Sequence, residues 1–175
     1  MVLLISFLAF STVAIAAPLS LVTPDTLIND IGMIDKGVLS LTGHLQTYQG
    51  GLLGSAPILA DITAIHLANR KGLLDANIAT PANSVDSNRV VDYTFATVGV
   101  DIPNSVEVLK GKKAAFDAAG LTTLVEAGLV LLKYDHDTFS AALLAKISSD
   151  ALPRGQVVVK QIDDALQNGL DYYAS

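Results

Sequence analysis

From Leu27 onward the apolar residues fall at Leu27, Ile31, Ile34, Val38, Leu41, Leu45 and Tyr48, a 4-3-4-3-4-3 spacing. That period lays one apolar seam along one side of a six-turn helix. Pro24 and Asp25 suit its first turn, where the helix dipole favours an acid. Gly50 and Gly51 end it. A second helix is expected from near Ser55, with Pro57 tolerated in its first turn, through Ile58, Ile62, Ile65 and Asn69 toward Ala76. The cluster TPANS (80–84) reads as a turn.

The third segment continues a seam through Val91, Phe95, Val98, Ile102, Val106, Leu109, Lys113 and Phe116, straight past Pro103. A proline ring meets the carbonyl of the residue four before it, here Gly99. The pattern therefore predicts one long helix kinked near residues 99–103, with a full break as the alternative. Gly120 closes it, and Thr123-x-x-Glu126 has the form of a capping box opening the next helix. That helix carries Val125, Leu129, Leu132, His136, Phe139 and Leu143. Asp150 to Pro153 read as a turn. The last helix shows Val159, Ile162, Leu166, Gly169 or Leu170, and Tyr173. No segment alternates with period two, so the expected fold is all-α, an antiparallel bundle of about five long amphipathic helices.

The first sixteen residues, MVLLISFLAFSTVAIA, are an apolar run ending in a small-x-small pattern. They are expected to be a secretory signal peptide cleaved after Ala16, because the run is shorter than the ~20 apolar residues of a membrane span. Residues 17–175 then form a single helical-bundle domain. Cysteine is absent, so that domain holds together by packing alone. The formal charge of −6 and the lack of basic–aromatic interleaving argue against nucleic acid.

Chemistry is scarce. Gly50, Gly51 and Gly54 are not followed by the Lys-Ser/Thr of a phosphate loop and follow a helix rather than a strand, so they read as a helix terminator. Asp135, His136 and Asp137 are consecutive on a helix and point in divergent directions, so no metal is implied. No nucleophile elbow is present. An enzyme is not expected, and no cofactor is implied. His66 and His136 stand at helical spacing among apolar residues. They are either polar contacts for a ligand in an apolar interior or histidines at the seam margin hydrogen-bonded locally.

Leu45-x-x-Tyr48-x-Gly50, Ile102-Pro103, Lys112-Lys113-x-x-Phe116 and Ile162-Asp163 through Tyr173 occur in this order. With the leading apolar segment, this pattern resembles the fungal hydrophobic surface-binding protein A family, which includes the antigenic cell-wall galactomannoproteins. The resemblance covers residues 20–174. It implies a secreted or wall-associated helical bundle without catalytic residues. Members adsorb to hydrophobic surfaces, some recruit polymer-degrading hydrolases, and others bind fatty acids between the helices. The Ser/Thr-rich tail, lipid-anchor signal and second domain copy of some relatives are not found in this sequence, which argues against covalent wall attachment.

The expected function is binding of fatty acids or other lipids in an apolar cavity between helices, or adsorption to hydrophobic surfaces, with a secreted hydrolase as a further candidate partner. The alternative is a structural cell-wall mannoprotein without a specific lipid. The seams supply the candidate cavity lining. The first helix gives Ile31, Ile34, Val38, Leu41, Leu45 and Tyr48, and the second gives Ile62 and Ile65. The third gives Phe95, Val98, Val106, Leu109 and Phe116. The fourth gives Val125, Leu129, Leu132, Phe139 and Leu143, and the last gives Ile162 and Leu166. His66 and His136 are the candidate polar contacts. Tyr48, the last residue of its seam, is placed to guard a cavity mouth.

Overall fold

The computed structural model describes residues 22–175; the expected signal peptide lies outside the described residues. The described elements are all helical: α1 (Pro24–Thr47), α2 (Ala56–Ile78), α3 (Ser84–Ala96), α4 (Val98–Lys110), α5 (Lys113–Ala118), α6 (Thr122–Leu144) and α7 (Leu152–Ala174). Going round the bundle, α1 packs on α2, α2 on α6, α6 on α7, α7 on α4, and α4 back on α1. Five rods thus close a ring, and α3 prolongs the α4 rod along α1 and α7.

Local chemistry sets the ends of these rods. Thr23 and Thr26 form a reciprocal capping box at the start of α1, each side chain accepting from the other's backbone N–H at 3.3 Å. At its far end Gly50 (φ +107°) and Gly51 (φ +82°) take the left-handed backbone that a side chain disfavours, and the chain reverses there. Two lysines finish helices from outside. The Lys112 ammonium donates to the carbonyls of Gln46 (2.9 Å) and Tyr48 (3.0 Å) at the end of α1. Lys146 does the same for Asn77 (3.2 Å) and Ala79 (2.7 Å) at the end of α2. Orphan carbonyls and the negative end of the helix dipole both welcome an ammonium.

The third rod differs in detail from the sequence pattern. Its discontinuity lies at Thr97 (φ −118°, ψ −104°), between α3 and α4, and Pro103 sits inside α4. The Thr97 hydroxyl donates back to the Tyr93 carbonyl at 2.7 Å, which ties down the end of α3. Pro103 has no N–H to give the Gly99 carbonyl, and the Gln161 side-chain amide of α7 donates to that oxygen at 2.7 Å instead. With the freed carbonyl satisfied from a neighbouring rod, the helix runs on through the proline. The capping box read at Thr123-x-x-Glu126 is also corrected. Helix α6 begins two residues earlier, with Leu121 at its N-cap, and the Thr122 hydroxyl donates to the Asp117 carboxylate across the α5–α6 turn. Pro153, read as part of a turn, falls in the first turn of α7, where its missing N–H costs nothing.

Gly99 lies where α4 meets α7. A methyl group there would come within 2.9 Å of Val158 Cγ2 and 3.0 Å of the Thr94 carbonyl oxygen. Gly43 is mid-helix in α1 with nothing within 4 Å of the corresponding position. The two glycines therefore answer to alanine with opposite signs. Gly99→Ala is expected to destabilise the fold by about 1–3 kcal/mol through overpacking. Gly43→Ala is expected to stabilise it by about 0.5–1 kcal/mol through helix propensity. Urea unfolding followed by circular dichroism measures both.

Candidate functional site

Closing five amphipathic rods into a ring turns their seams toward a shared axis, and along that axis lies a cavity of about 110 Å³. Its walls on α6 run from Val125 to Leu144, which at 1.5 Å per residue spans roughly 28 Å of helix. The void is therefore long and narrow. Helix α1 contributes Ile31, Ile34, Val38 and Leu41; α2 contributes Ile62 and Ile65; α4 contributes Val98, Val106 and Leu109. From α6 come Val125, Leu129, Leu132, Phe139 and Leu143, and from α7 Ile162 and Leu166.

Four residues of the sequence-derived set do not line it. Leu45 is fully buried beyond the end of the cavity. Tyr48 stacks on Phe116 with ring centroids 4.5 Å apart, and Phe116 meets Tyr173 edge-on at 6.5 Å. The Tyr48 hydroxyl donates to the Gly51 carbonyl (3.3 Å) and the Tyr173 hydroxyl to the Leu109 carbonyl (2.8 Å). These three rings, from three distant segments, plug one end of the bundle rather than stand in its wall. Phe95 is turned aside because the break at Thr97 resets the helical phase. Val90, Val91 and Thr94 take the inward positions of α3, while the Arg154 guanidinium lies 5.6 Å over the Phe95 ring.

The two histidines part company. His66 Nδ1 is 2.7 Å from Oδ2 of Asp135, a carboxylate with no exposed side-chain surface, in the seam between α2 and α6. Arg70 Nη1 stands 4.0 Å from the other oxygen of that carboxylate. His66 serves helix packing and is absent from the cavity wall. His136 is in the wall. Its Nε2 is 3.2 Å from the Val159 carbonyl and its Nδ1 3.2 Å from the Ser140 hydroxyl. A carbonyl accepts only, so Nε2 carries the proton, and Nδ1 accepts from Ser140. Burial holds the imidazole below its ordinary value of 6.5. The wall thus offers neutral polarity at this point, not charge.

Other polar groups in the wall are Asn69, Thr94 and Ser105. The Thr94 hydroxyl donates to Val90 (2.8 Å) and the Asn69 amide to Ile65 (3.0 Å), both to carbonyls of their own helices. Ile58, Asn69 and Ile102 stand on the seams of the sequence pattern and belong to the wall as well. Gly128 and Gly155 also line it; no apolar period marks a glycine as a wall residue.

One acidic group on the surface has ligand-like spacing. Atoms of His136, Asp137 and Asp163 lie within 4.8 Å of one another. The Lys133 ammonium occupies that cluster, bonded to Asp163 and 3.2 Å from Asp137, and supplies the positive charge itself. Both His136 nitrogens are engaged elsewhere, so the donor set does not suit a cation.

The family model for hydrophobic surface binding protein A matches residues 24–145, which takes in α1 through α6. The chain belongs to the hydrophobic surface binding protein A family. Solved structures share its fold. One is Afmp4p in complex with palmitic acid, with a TM-score of 0.83 and 22% identity over 86% of this chain and 99% of that one. Another is ligand binding domain 1 of the Penicillium marneffei MP1 protein complexed with arachidonic acids, at 0.81 and 22% over 86% and 99%. Domain 2 of the same protein, complexed with multiple arachidonic acids, matches at 0.79 and 20% over 84% and 93%. No curated protein matches the chain in sequence. Among the described residues no helix is long and apolar enough to cross a membrane.

The buried polar groups of this family member give a pH dependence of known sign. As pH falls through 6.5 the unfolded chain takes up a proton at His136 before the folded one does, so stability falls. Asp35 works in the other direction. Its burial, together with the Asp101 carboxylate, raises it from 3.8 to about 6, so acidification between those values favours the folded state. His136→Gln is expected to lose less stability than the wild type between pH 7.5 and 5.5. Asp35→Asn is expected to raise the melting temperature at pH 7.5, with the gain fading below about pH 6. Thermal unfolding across pH reads both effects.

Proposed function

We propose that this protein is a secreted, non-catalytic carrier of fatty acids or similar single-chain lipids, which it holds in the axial cavity. The observation that carries the reading is the shape and chemistry of that cavity: a long narrow void walled by aliphatic side chains, with uncharged polar groups at His136, Ser140 and Ser105. Burying an acyl chain gains roughly 0.8 kcal/mol per methylene, less the cost of association and ordering. Affinity then needs no charged anchor, and a neutral hydroxyl or imidazole suffices to orient the head. The shared fold with structures that hold palmitic and arachidonic acids supports the same ligand class. Membership of a family described by hydrophobic surface binding supports a second property, adsorption to apolar interfaces outside the cell. The exposed leucines Leu52, Leu53, Leu67 and Leu74 favour it too.

Leu132 lines the cavity yet is only half-buried, so a larger side chain is accommodated there without disrupting the core. Leu132→Trp is expected to weaken binding of a fluorescent fatty acid by about tenfold or more, by occupying the acyl path. Leu132→Ala is expected to retain it. Equal affinity in both variants and the wild type contradicts an axial site.

A further inference from the structure

The axial cavity is walled by polar groups at several points, yet no cation lines it. Among its described wall residues only His136 is titratable, and burial keeps that imidazole neutral. The other polar side chains of the wall have mostly spent their hydrogens inside the protein. The Thr94 hydroxyl donates to Val90 (2.8 Å), and the Asn69 amide gives one N–H to Ile65 (3.0 Å). The Ser140 hydroxyl donates to His136 Nδ1, and Nε2–H of the same ring goes to the Val159 carbonyl, both at 3.2 Å. What is left to donate into the void is the Ser105 hydroxyl and the second N–H of Asn69. These stand on α4 and α2, which α1 separates in the ring. Lone pairs are more plentiful, since the side-chain oxygens of Thr94, Ser140 and Asn69 all keep one free to accept.

The charges behind the wall point the same way. Asp101 stands one helical turn before Ser105 on α4, and Asp35 of α1 shares a hydrogen bond with it, so two carboxyls back the best donor. Between α2 and α6, His66 and Arg70 are turned to Asp135, while Lys71 is held by Asp30 and Asp75. Between α6 and α7, Lys133 joins Asp137 and Asp163 beside His136. Around α3, Arg89 pairs with Asp25 and Asp86, and Arg154 of α7 with Asp92. On α4, Lys110 pairs with Glu107, and Lys36 of α1 is exposed to water. None of these cations belongs to the wall, and all but Lys36 already face a carboxylate.

We infer that the cavity takes its lipid with an uncharged head, so that a fatty acid is held as the protonated acid and a fatty alcohol of equal length is an equal ligand. This rests on the carrier function proposed above and adds the state of the head group. An ionised carboxylate only accepts, with about four lone-pair sites to satisfy. In this wall it meets two donors on separate helices, no counter-charge, and the Asp35–Asp101 pair behind one of the donors. A carboxylate buried that way gives up its charge by taking a proton. The protonated acid brings an O–H for one of the free lone pairs and a carbonyl for the Ser105 hydroxyl, and an alcohol brings the same O–H. A free fatty acid is ionised at neutral pH, so each chain bound draws one proton from solvent.

Calorimetric titration of the delipidated protein with laurate at pH 7.5, in phosphate and in Tris, reads that proton from the difference in heat between the two buffers. About one proton is expected to be taken up per laurate bound, and the affinity is expected to fall about tenfold per pH unit from pH 7.5 to 9. In that range Asp35, raised to about 6, is already ionised and His136 already neutral, so neither supplies the signal. Dodecanol is expected to bind at least as tightly as laurate at pH 7.5, with no proton uptake and no pH dependence. Leu132→Trp is expected to weaken both lipids alike, and a loss of one alone overturns their shared site. Laurate that binds without proton uptake, and equally well at pH 7.5 and 9, overturns the inference and leaves the carrier function standing. Dodecanol that binds about tenfold or more weakly than laurate does the same. Failure of both lipids to bind removes the carrier function itself, and the inference with it.

Discussion

Five helices closed into a ring must bury five apolar seams against a common axis, and aliphatic side chains of this size do not reach it from every side. That geometric shortfall is what the rest of the molecule is arranged around. Protein interiors ordinarily pack to the density of organic crystals, and a dry void forfeits dispersion contacts along its whole lining. Here the large buried aromatics stand at one end, where Tyr48, Phe116 and Tyr173 close the bundle. The stretch between is left mostly to valine, isoleucine and leucine, with Phe139 and His136 the rings among the described wall residues. In the function proposed above an acyl chain restores the missing contacts, and ligand binding is then tied directly to how the ring is built.

The ring holds its spacing through contacts that are individually ordinary. Lysines 112 and 146 finish two helices from neighbouring turns, and Gln161 supplies the hydrogen bond that Pro103 removes from Gly99. Glycines let rods approach closely at chosen points: Gly72 under Phe139, Gly128 beside Ile62, and Gly155 beside Leu144 and Ile147. The buried Asp135 is held by His66 in the α2–α6 seam, so that contact is polar as well as apolar. Removing one partner of such a pair leaves a desolvated charge, which is why the pair resists opening.

Much of this was readable from spacing alone, and where it was not the reason is physical. The seam from Leu27 to Tyr48 needs only a 3.6-residue period and a glycine stop, and both lie within a short window. The break at Thr97 has no proline at it, and the Thr97 hydroxyl turned onto the Tyr93 carbonyl ends α3 there; at Pro103, where a break was the alternative, a glutamine arriving from α7 lets the helix run on. Extrapolating the seam across that break put Phe95 inward and overlooked Val90 and Thr94, while Val91, the first residue of that seam, is in the wall. Tyr48 and Phe116 look like wall residues by period, and only the folded chain brings them to one another and to Tyr173. His66 and His136 are alike in sequence setting, and their roles diverge because Asp135 faces one and the Val159 carbonyl the other.

The central claim is that the axial void is a ligand site and not a packing defect. Calorimetric titration of delipidated, refolded protein with palmitate, repeated at several temperatures, tests it most directly. The account predicts saturable binding with a negative heat-capacity change, the mark of apolar surface leaving water inside a defined site. Heat that grows with added lipid without saturating, or saturation with no change in heat capacity, contradicts it.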